Sequence, residues 1–179
     1  MAIPLRKPNE IEKLRIANVA VAKTLNYLKA NVKAGMTLKE VDAMGEAFLR
    51  NQGARPSFKG LYGFPTAIGT SLNEVIIHGI PTDVVLKDGD ILGIDIGSEI
   101  DGWYGDSAIT MPIGEISKED EALIACAKDS LYYAISIIKE GMRFKELSKL
   151  IEDFIVSRGY QPLVRFCGHG IGKRPHEEP

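Results

Sequence analysis

Residues 90–110 contain the feature that most constrains the fold of this chain, a predicted β-hairpin that carries two aspartates. Asp101 and Gly102 form a two-residue type I′ turn signal between two apolar runs. With these two residues as the loop, Asp95 and Asp106 fall on opposite strands. Because side chains alternate between the two faces of a strand, this register places both carboxylates on one face, as diagonal neighbours within about 8 Å at the backbone.

The paired carboxylates predict a cation site. Aspartate is disfavoured in strands, and two buried carboxylates repel each other unless one is protonated or a cation bridges them. The other residues expected on or near this face are small and leave space above the sheet: Gly93, Gly97 and Ala108. A single aspartate here would be interpreted as an edge-strand residue facing solvent, but two on the same face indicate metal binding or catalysis.

Composition narrows the class of protein. A net charge of −2 over 179 residues provides no basic surface for nucleic acid. The amino terminus has no apolar signal segment, and no apolar run approaches the roughly 18 residues of a membrane span. Two cysteines, Cys126 and Cys167, are too few for a disulfide framework. We therefore expect a soluble cytoplasmic protein that binds neither nucleic acid nor membrane.

Hydrophobic periodicity and end signals predict four helices and a strand-rich middle segment. Asn9 is the expected cap of the first helix, and Thr37 with Glu40 forms a capping box for the second. The predicted helices cover about 9–31, 37–53, 117–140 and 144–158, the strands fall within about 66–113, and one more strand lies near 162–167.

The chain repeats itself. Residues 35–53 align without gaps to residues 141–159, at an offset of 106 and with seven identities in nineteen positions. This repeat predicts one domain over 1–179, built from a first half at about 9–113 and an incomplete second half at about 115–179. The hairpin of the second half would lie beyond Pro179, so we expect about three quarters of a duplicated domain. The simpler alternative to an internal duplication is that these segments are two ordinary amphipathic helices with similar caps.

The three histidines lie beside glycine or proline. His169 stands between two glycines, His176 follows seven residues later, and His78 comes at the end of the apolar run 75–77, which we predict to be a strand. Flanking glycines let a backbone approach a ligand closely. His169 is therefore a candidate metal ligand, and His78 and His176 are candidate proton donors or polarising groups.

Two carboxylates and an imidazole, without a pair of cysteines, are typical ligands of borderline-to-hard divalent metals. They favour Mn, Fe, Co or Zn over Cu(I). Three such ligands are too few to complete the coordination of two ions.

Three motifs give the chain a resemblance to a known family. They are Asn73-Glu74 with His78-Gly-Ile-Pro81, the aspartates of the hairpin at Asp95 and Asp106, and the Phe166-Cys-Gly-His-Gly-Ile-Gly172 segment followed by His176. Together they resemble the type I (bacterial) methionine aminopeptidases, and the resemblance covers the whole chain. It implies an α+β, pita-bread (creatinase/aminopeptidase-like) duplicated fold, with pseudo-twofold halves around a curved antiparallel sheet and an incomplete second half.

The resemblance also implies a cofactor and a reaction. Two divalent metal ions (Co, Fe, Mn or Zn) would be held by Asp95, which chelates one ion, by Asp106, which bridges both, and by His169. The family removes the initiator methionine from nascent peptides whose second residue is small, through a metal-bridging hydroxide. Such an enzyme is expected to be a monomer at full length. The resemblance also makes the ribosome a candidate partner.

Substrate contacts follow from the same resemblance. His78 would contact the substrate near the scissile amide, and His176 would hydrogen-bond the carbonyl as charge develops on it. Phe58, Tyr62 and Phe64 are the expected pocket or gate residues, with plain core packing as their alternative.

The chain departs from the family pattern in one respect that affects activity. Two glutamate ligands of the family have no counterpart before Pro179, and Glu177 and Glu178 do not replace them. We therefore expect the 179-residue chain to be inactive or impaired. Two other functions stay open: a non-catalytic pita-bread module that binds a peptide or protein, and a prolidase or aminopeptidase P relative. The second is disfavoured because those enzymes usually carry an extra amino-terminal domain, whereas the first helix here begins by Asn9.

Overall fold

A computed structural model describes residues 4–178, which form four helices and one antiparallel sheet. This arrangement confirms the predicted α+β class. The elements, in chain order, are α1 (Pro8–Asn31), α2 (Leu38–Asn51), β1 (Arg55–Pro56), a short 3₁₀ turn (Leu61–Gly63), β2 (Ile68–Leu72), β3 (Ile91–Ile100), β4 (Trp103–Pro112), α3 (Lys118–Ile137) and α4 (Phe144–Val156).

The described residues divide into two compact units. The first contains everything up to Ile116 together with His169–Glu178, and the second is Ser117–Gly168. The sheet, α1 and α2 lie in the first unit, and α3 and α4 form the second. None of the helices within residues 4–178 is long and apolar enough to cross a membrane.

The β3–β4 hairpin has the predicted register. Asp95 pairs with Ala108 and Gly97 with Asp106, so the two aspartates lie on the same face. The turn residues Asp101 and Gly102 have φ values of 52° and 76°, as a type I′ turn requires. Local turn chemistry therefore sets the register on which the carboxylate pair depends.

The core of the first unit lies between the sheet and the helices α1 and α2. β3 pairs with β2 and β1 along one edge and with β4 along the other. At Gly45, α2 comes so close to the sheet that an added methyl group would stand 3.2 Å from Cδ1 of Ile68. The largest fully buried apolar side chains are Leu28, Leu49, Ile68, Leu86, Leu92, Ile94, Ile96, Ile113, Val21 and Val41.

The helical part of the predicted repeat is present in both units. Tyr27 of α1 stacks on Phe48 of α2 with ring centroids 4.1 Å apart, and Tyr133 of α3 stacks on Phe154 of α4 at 4.6 Å. Each residue of the second pair lies 106 positions after its counterpart in the first, the offset of the sequence repeat. Shared side-chain packing therefore supports duplication over two unrelated amphipathic helices, although Thr37 caps α2 with its side chain and Arg143 does not cap α4.

Three local predictions are wrong. Residues 162–167 form no strand, and a turn at residues 164 and 165 interrupts this run instead. The run 75–77 is also irregular, because Asn73 has a φ of 50° and turns the chain away at the end of β2. Helix α1 begins at Pro8 after Lys7, whose backbone N–H donates to the Glu10 carboxylate at 2.9 Å, so Asn9 is not its cap.

Candidate metal centre and substrate cavity

Helix α1 fixes the position of Asp106. Gly105 lies against the backbone of Ala17, where an added methyl group would overlap α1. The backbone N–H of Asp106 donates to Oδ1 of Asn18 at 3.3 Å, and Oγ of Ser98 donates to the Ala17 carbonyl at 2.9 Å. The hairpin thus packs directly on the helix, and the Asp106 carboxylate faces away from it, toward the opposite side of the sheet.

The pKa values of both carboxyl groups are raised, chiefly by burial. Burial, and secondarily the charge of Asp106, raise the pKa of Asp95 to about 6. Burial also raises the pKa of Asp106, although the imidazoles of His169 and His176 act in the opposite direction. Neither carboxylate therefore has enough positive charge nearby to offset its burial, as the sequence argument predicted for a cation site.

His169 is oriented by its own loop. Its Nδ1 lies 3.0 Å from the carbonyl oxygen of Gly170. Since a carbonyl oxygen only accepts, Nδ1 carries the hydrogen in the neutral imidazole, and the lone pair is on Nε2. Nε2 lies 3.9 Å from Oδ2 of Asp106. The structure therefore brings the histidine predicted as a ligand to one of the two predicted aspartates, with the binding nitrogen toward it.

His176 lies between His169 and the 3₁₀ turn. Its ring meets that of His169 edge-on, with centroids 4.5 Å apart, and it stacks on Tyr62 at 5.9 Å. Tyr62 is 88% exposed and has a φ of 48°. An exposed aromatic side chain on a left-handed backbone is not core packing, so the alternative explanation for Tyr62 fails.

The position of His78 depends on the glycine after it. His78 has a φ of 57° and lies in the exposed loop that follows β2. The Gly79 carbonyl accepts from the Thr70 N–H at 2.8 Å, and the Gly79 N–H donates to Oγ of Ser71 at 3.3 Å. A side chain at Gly79 would overlap the backbone of Thr70. Contact between this glycine and β2, which sequence reasoning missed, therefore brings His78 to the site.

All eight predicted site residues line one cavity of about 540 Å³. The aromatic rings of Phe58 and Phe64 meet edge-on within it, with centroids 6.4 Å apart. The cavity also has lining residues that were not predicted as site residues, namely Leu61, Gly63, Pro65, Gly69 and Ile80. Apolar walls around a few polar groups are typical of a small-molecule or peptide-end site.

One expectation about this face needs correction. Gly97 does not leave open space above the sheet, because Oγ of Ser57 and the ring of Phe58 fill the volume that its side chain would occupy. Gly93 likewise faces Ser71. The glycines in β3 therefore allow neighbouring segments to approach, and Gly97 in particular seats Phe58 in the cavity wall.

The donor set agrees with a divalent cation only in part. Two ligands each about 2.1 Å from one ion lie at most about 4.2 Å apart, and the distance between His169 Nε2 and Asp106 Oδ2 is within that limit. Within residues 4–178, however, no three His, Cys, Asp or Glu side chains converge closely enough to hold an ion. The residues present match a metal in type and in one pairwise distance, but Asp95, Asp106 and His169 do not meet at a single point.

Comparison with known proteins assigns the family. Residues 12–179 match the model of metallopeptidase family M24. The chain is 58% identical over 179 residues to a methionine aminopeptidase of Helicobacter pylori, covering 100% of this chain and 71% of the relative. The crystal structure of methionine aminopeptidase from Rickettsia prowazekii superposes with a TM-score of 0.97 at 30% identity, covering 99% of this chain and 72% of that one.

A second group of enzymes with this fold is less similar to the chain. The X-Pro aminopeptidase of Thermotoga maritima superposes with a TM-score of 0.82 at 28% identity, covering 98% of this chain but 48% of that protein. The pita-bread fold is thus common to both groups, while identity and coverage favour the first. The chain therefore belongs to metallopeptidase family M24 and, within it, to the methionine aminopeptidases.

Proposed function

We propose that this chain removes the initiator methionine from peptides that have a free α-amino group and a small second residue. The observation that carries the proposal is the shared cavity, in which three candidate metal ligands, two further imidazoles and an aromatic wall surround one space. The reaction is a hydrolysis of the first peptide bond. We place it in the cytoplasm, on nascent chains, with the ribosome as a further expected partner and a monomeric full-length enzyme.

Asp95, Asp106 and His169 are the proposed ligands of two divalent cations, from among Co, Fe, Mn and Zn. When bound, such a cation supplies Lewis acidity toward the scissile carbonyl and lowers the pKa of water. The three residues together satisfy only part of the coordination of two ions. We therefore expect weak metal binding and slow hydrolysis from this 179-residue chain.

The other residues of the cavity bind and orient the peptide. His176 donates a hydrogen bond to the carbonyl oxygen of the scissile bond as negative charge develops on it. His78 contacts the substrate near the same amide. Phe58, Tyr62 and Phe64 surround the apolar methionine side chain and exclude water from it.

Metal binding tests this proposal directly. Mn(II) is titrated by calorimetry into the wild-type chain, Asp106→Asn and the matched control Asp101→Asn, which makes the same chemical change in the exposed turn of the same hairpin. Asparagine tolerates the positive φ of position 101. We expect weak binding that is lost in Asp106→Asn and kept in Asp101→Asn. Equal binding by the two variants would contradict the ligand assignment.

Hydrolysis of a Met-Gly-X tripeptide in excess Mn(II) tests the reaction. We expect slow release of methionine by the wild-type chain and none after chelation or in Asp106→Asn. Cleavage that survives chelation would overturn the metal-dependent mechanism. Peptide binding without any cleavage, at a metal concentration that saturates the site, would replace the enzyme with the binding-module alternative.

A further inference from the structure

Glu177 is almost completely buried, although it lies next to His176 in a segment that is otherwise largely exposed. Its side chain is 6% exposed and pairs with the guanidinium of Arg6. The backbone N–H groups of Lys173 and Arg174 donate to the same carboxylate at 2.9 and 3.3 Å. The Glu177 carboxylate therefore pairs with one charged group from the amino-terminal segment and accepts from two backbone donors of its own loop.

These contacts close residues 169–177 into what we call the histidine loop. Backbone hydrogen bonds of 2.8 Å join Gly170 and Glu177 in both directions. The N–H of Tyr104 in β4 donates to the Gly172 carbonyl at 2.9 Å, which attaches the loop to the sheet. A side chain at Gly172 would overlap both Arg6 and Glu177. Gly170 and Glu177, each adjacent to one of the two histidines, therefore cross-link the two ends of the loop.

The same contacts reach the metal-binding nitrogen. The Gly170 carbonyl accepts from the Glu177 N–H at 2.8 Å and lies 3.0 Å from Nδ1 of His169. That second contact keeps the Nε2 lone pair toward Asp106. At the other end of the loop, His176 is covalently adjacent to Glu177. One buried residue is thus connected to the ring orientation of His169 and to the backbone of His176.

We propose that Glu177, paired with Arg6, is a positioning residue that fixes the spacing and orientation of the two imidazoles. It is neither a metal ligand nor in contact with substrate. Its effect on metal binding rests on the proposed function, since it assumes that His169 is a ligand. Partners that orient a metal-binding histidine typically change metal affinity about 10- to 100-fold when they are removed.

The test compares Glu177→Gln with Glu178→Gln, the same change at the neighbouring exposed glutamate. In wild type, NMR should detect a nuclear Overhauser contact between the rings of His169 and His176, and slow amide exchange at Gly170 and Glu177. In Glu177→Gln we expect the ring contact to weaken, exchange at both amides to rise at least about tenfold, and Mn(II) affinity to fall about tenfold. Glu178→Gln should match wild type in all three.

Hydrogen exchange of the backbone amides in the β3–β4 hairpin reports whether the Glu177→Gln variant is folded. If Glu177→Gln unfolds the hairpin as well, Arg6→Gln is the second variant, because it removes the ion pair and keeps the two backbone donors to Glu177. Selective loosening of the histidine loop in either variant supports the proposal. An unchanged ring contact and unchanged exchange in a folded variant would overturn it.

The proposal and the function it rests on can fail separately. If wild type binds Mn(II) and folded Glu177→Gln binds it equally well, Glu177 does not position the site, and the metal assignment stands. If wild type shows no Mn(II) binding at all, the metal assignment fails, and ring contact and amide exchange still decide whether Glu177 positions the histidines.

Discussion

Nε2 of His169 lies 3.9 Å from Oδ2 of Asp106, although 63 positions separate the two residues in the sequence. The distance suits two ligands of one ion better than a direct hydrogen bond, which would be about 1 Å shorter. Asp106 is held by α1 and His169 by the histidine loop, so neither needs the other to keep its position. The structure therefore holds the two side chains at a spacing that suits the proposed metal site.

Replacement of His169 by asparagine tests this relationship. We expect Mn(II) affinity to fall at least about tenfold, because one donor is lost and the carboxylates lose a nearby imidazole. The free energy of unfolding should change by less than about 0.5 kcal/mol, since the His169 side chain is 37% exposed. Calorimetry and urea denaturation measure the two quantities. A large loss of stability with unchanged affinity would mean that His169 is structural.

The raised pKa of Asp95 predicts a pH dependence of stability in the metal-free chain. A carboxyl group whose pKa rises on folding contributes stability that is fully present below its unfolded value near 3.8 and is lost as pH rises through about 6. We expect this group to reduce the free energy of unfolding by up to about 3 kcal/mol across that window. Asp95→Asn should remove this part of the dependence.

Urea denaturation in the presence of a chelator, at pH 4 to 7, measures the effect. The comparison is between wild type, Asp95→Asn and the turn control Asp101→Asn. The difference between wild type and Asp95→Asn should be largest at pH 7, where the wild-type carboxylate is charged, buried and diagonal to Asp106 on the same face. A difference that is the same at pH 4 and pH 7 would contradict the assigned burial of charge.

Some parts of this site could be predicted from sequence because their causes are local. Asp101-Gly102 sets the hairpin register, and strand alternation then places Asp95 beside Asp106. The position of His78 has a different cause, the contact of Gly79 with β2, which no local pattern reveals. Glu177 is a still clearer case, since its partner Arg6 is 171 positions away and nothing near Glu177 in sequence indicates burial.

The failed strand predictions have the same explanation. An apolar run such as 75–77 fits a strand by composition, but it needs a partner with free backbone groups. The chain instead turns at Asn73, whose φ is 50°, and returns to β2 only at Gly79, whose carbonyl accepts from the Thr70 N–H. The apolar side chains of 75–77 consequently lie in an irregular segment and are exposed.

Tyr62 is an exposed part of the cavity wall, so its replacement is predicted to affect ligand binding more than folding. Tyr62→Ala removes an aromatic contact with the methionine side chain that is typically worth about 1 kcal/mol, so affinity for methionine amide should fall about fivefold. The lost stacking on His176 should lower the free energy of unfolding by at most about 1 kcal/mol. Tyr62→Phe keeps the ring and should bind as wild type does. NMR titration measures the affinities, and thermal unfolding checks stability. Equal affinities for the alanine and phenylalanine variants would exclude Tyr62 from the pocket.

Substitution of Gly97 is predicted to change both the stability of the fold and the wall of the cavity. An added methyl group would overlap Oγ of Ser57 and the ring of Phe58, so Gly97→Ala should destabilise the fold by about 1–3 kcal/mol and push Phe58 out of the cavity wall. Gly168→Ala is the matched control, because an added methyl group there meets no atom within 4 Å. Urea denaturation should show a large change only for Gly97→Ala.

A double-mutant cycle assigns the cause. If the overlap with Phe58 dominates, Gly97→Ala should cost less in a Phe58→Ala background, because the ring it displaces is already absent. The coupling free energy between the two positions is then expected to be at least about 0.5 kcal/mol. Strict additivity would assign the strain to Ser57 instead. The Phe58 ring would then be held in the cavity by its own packing against Phe64. Gly97 would only allow the chain segment that carries Phe58 to approach the sheet.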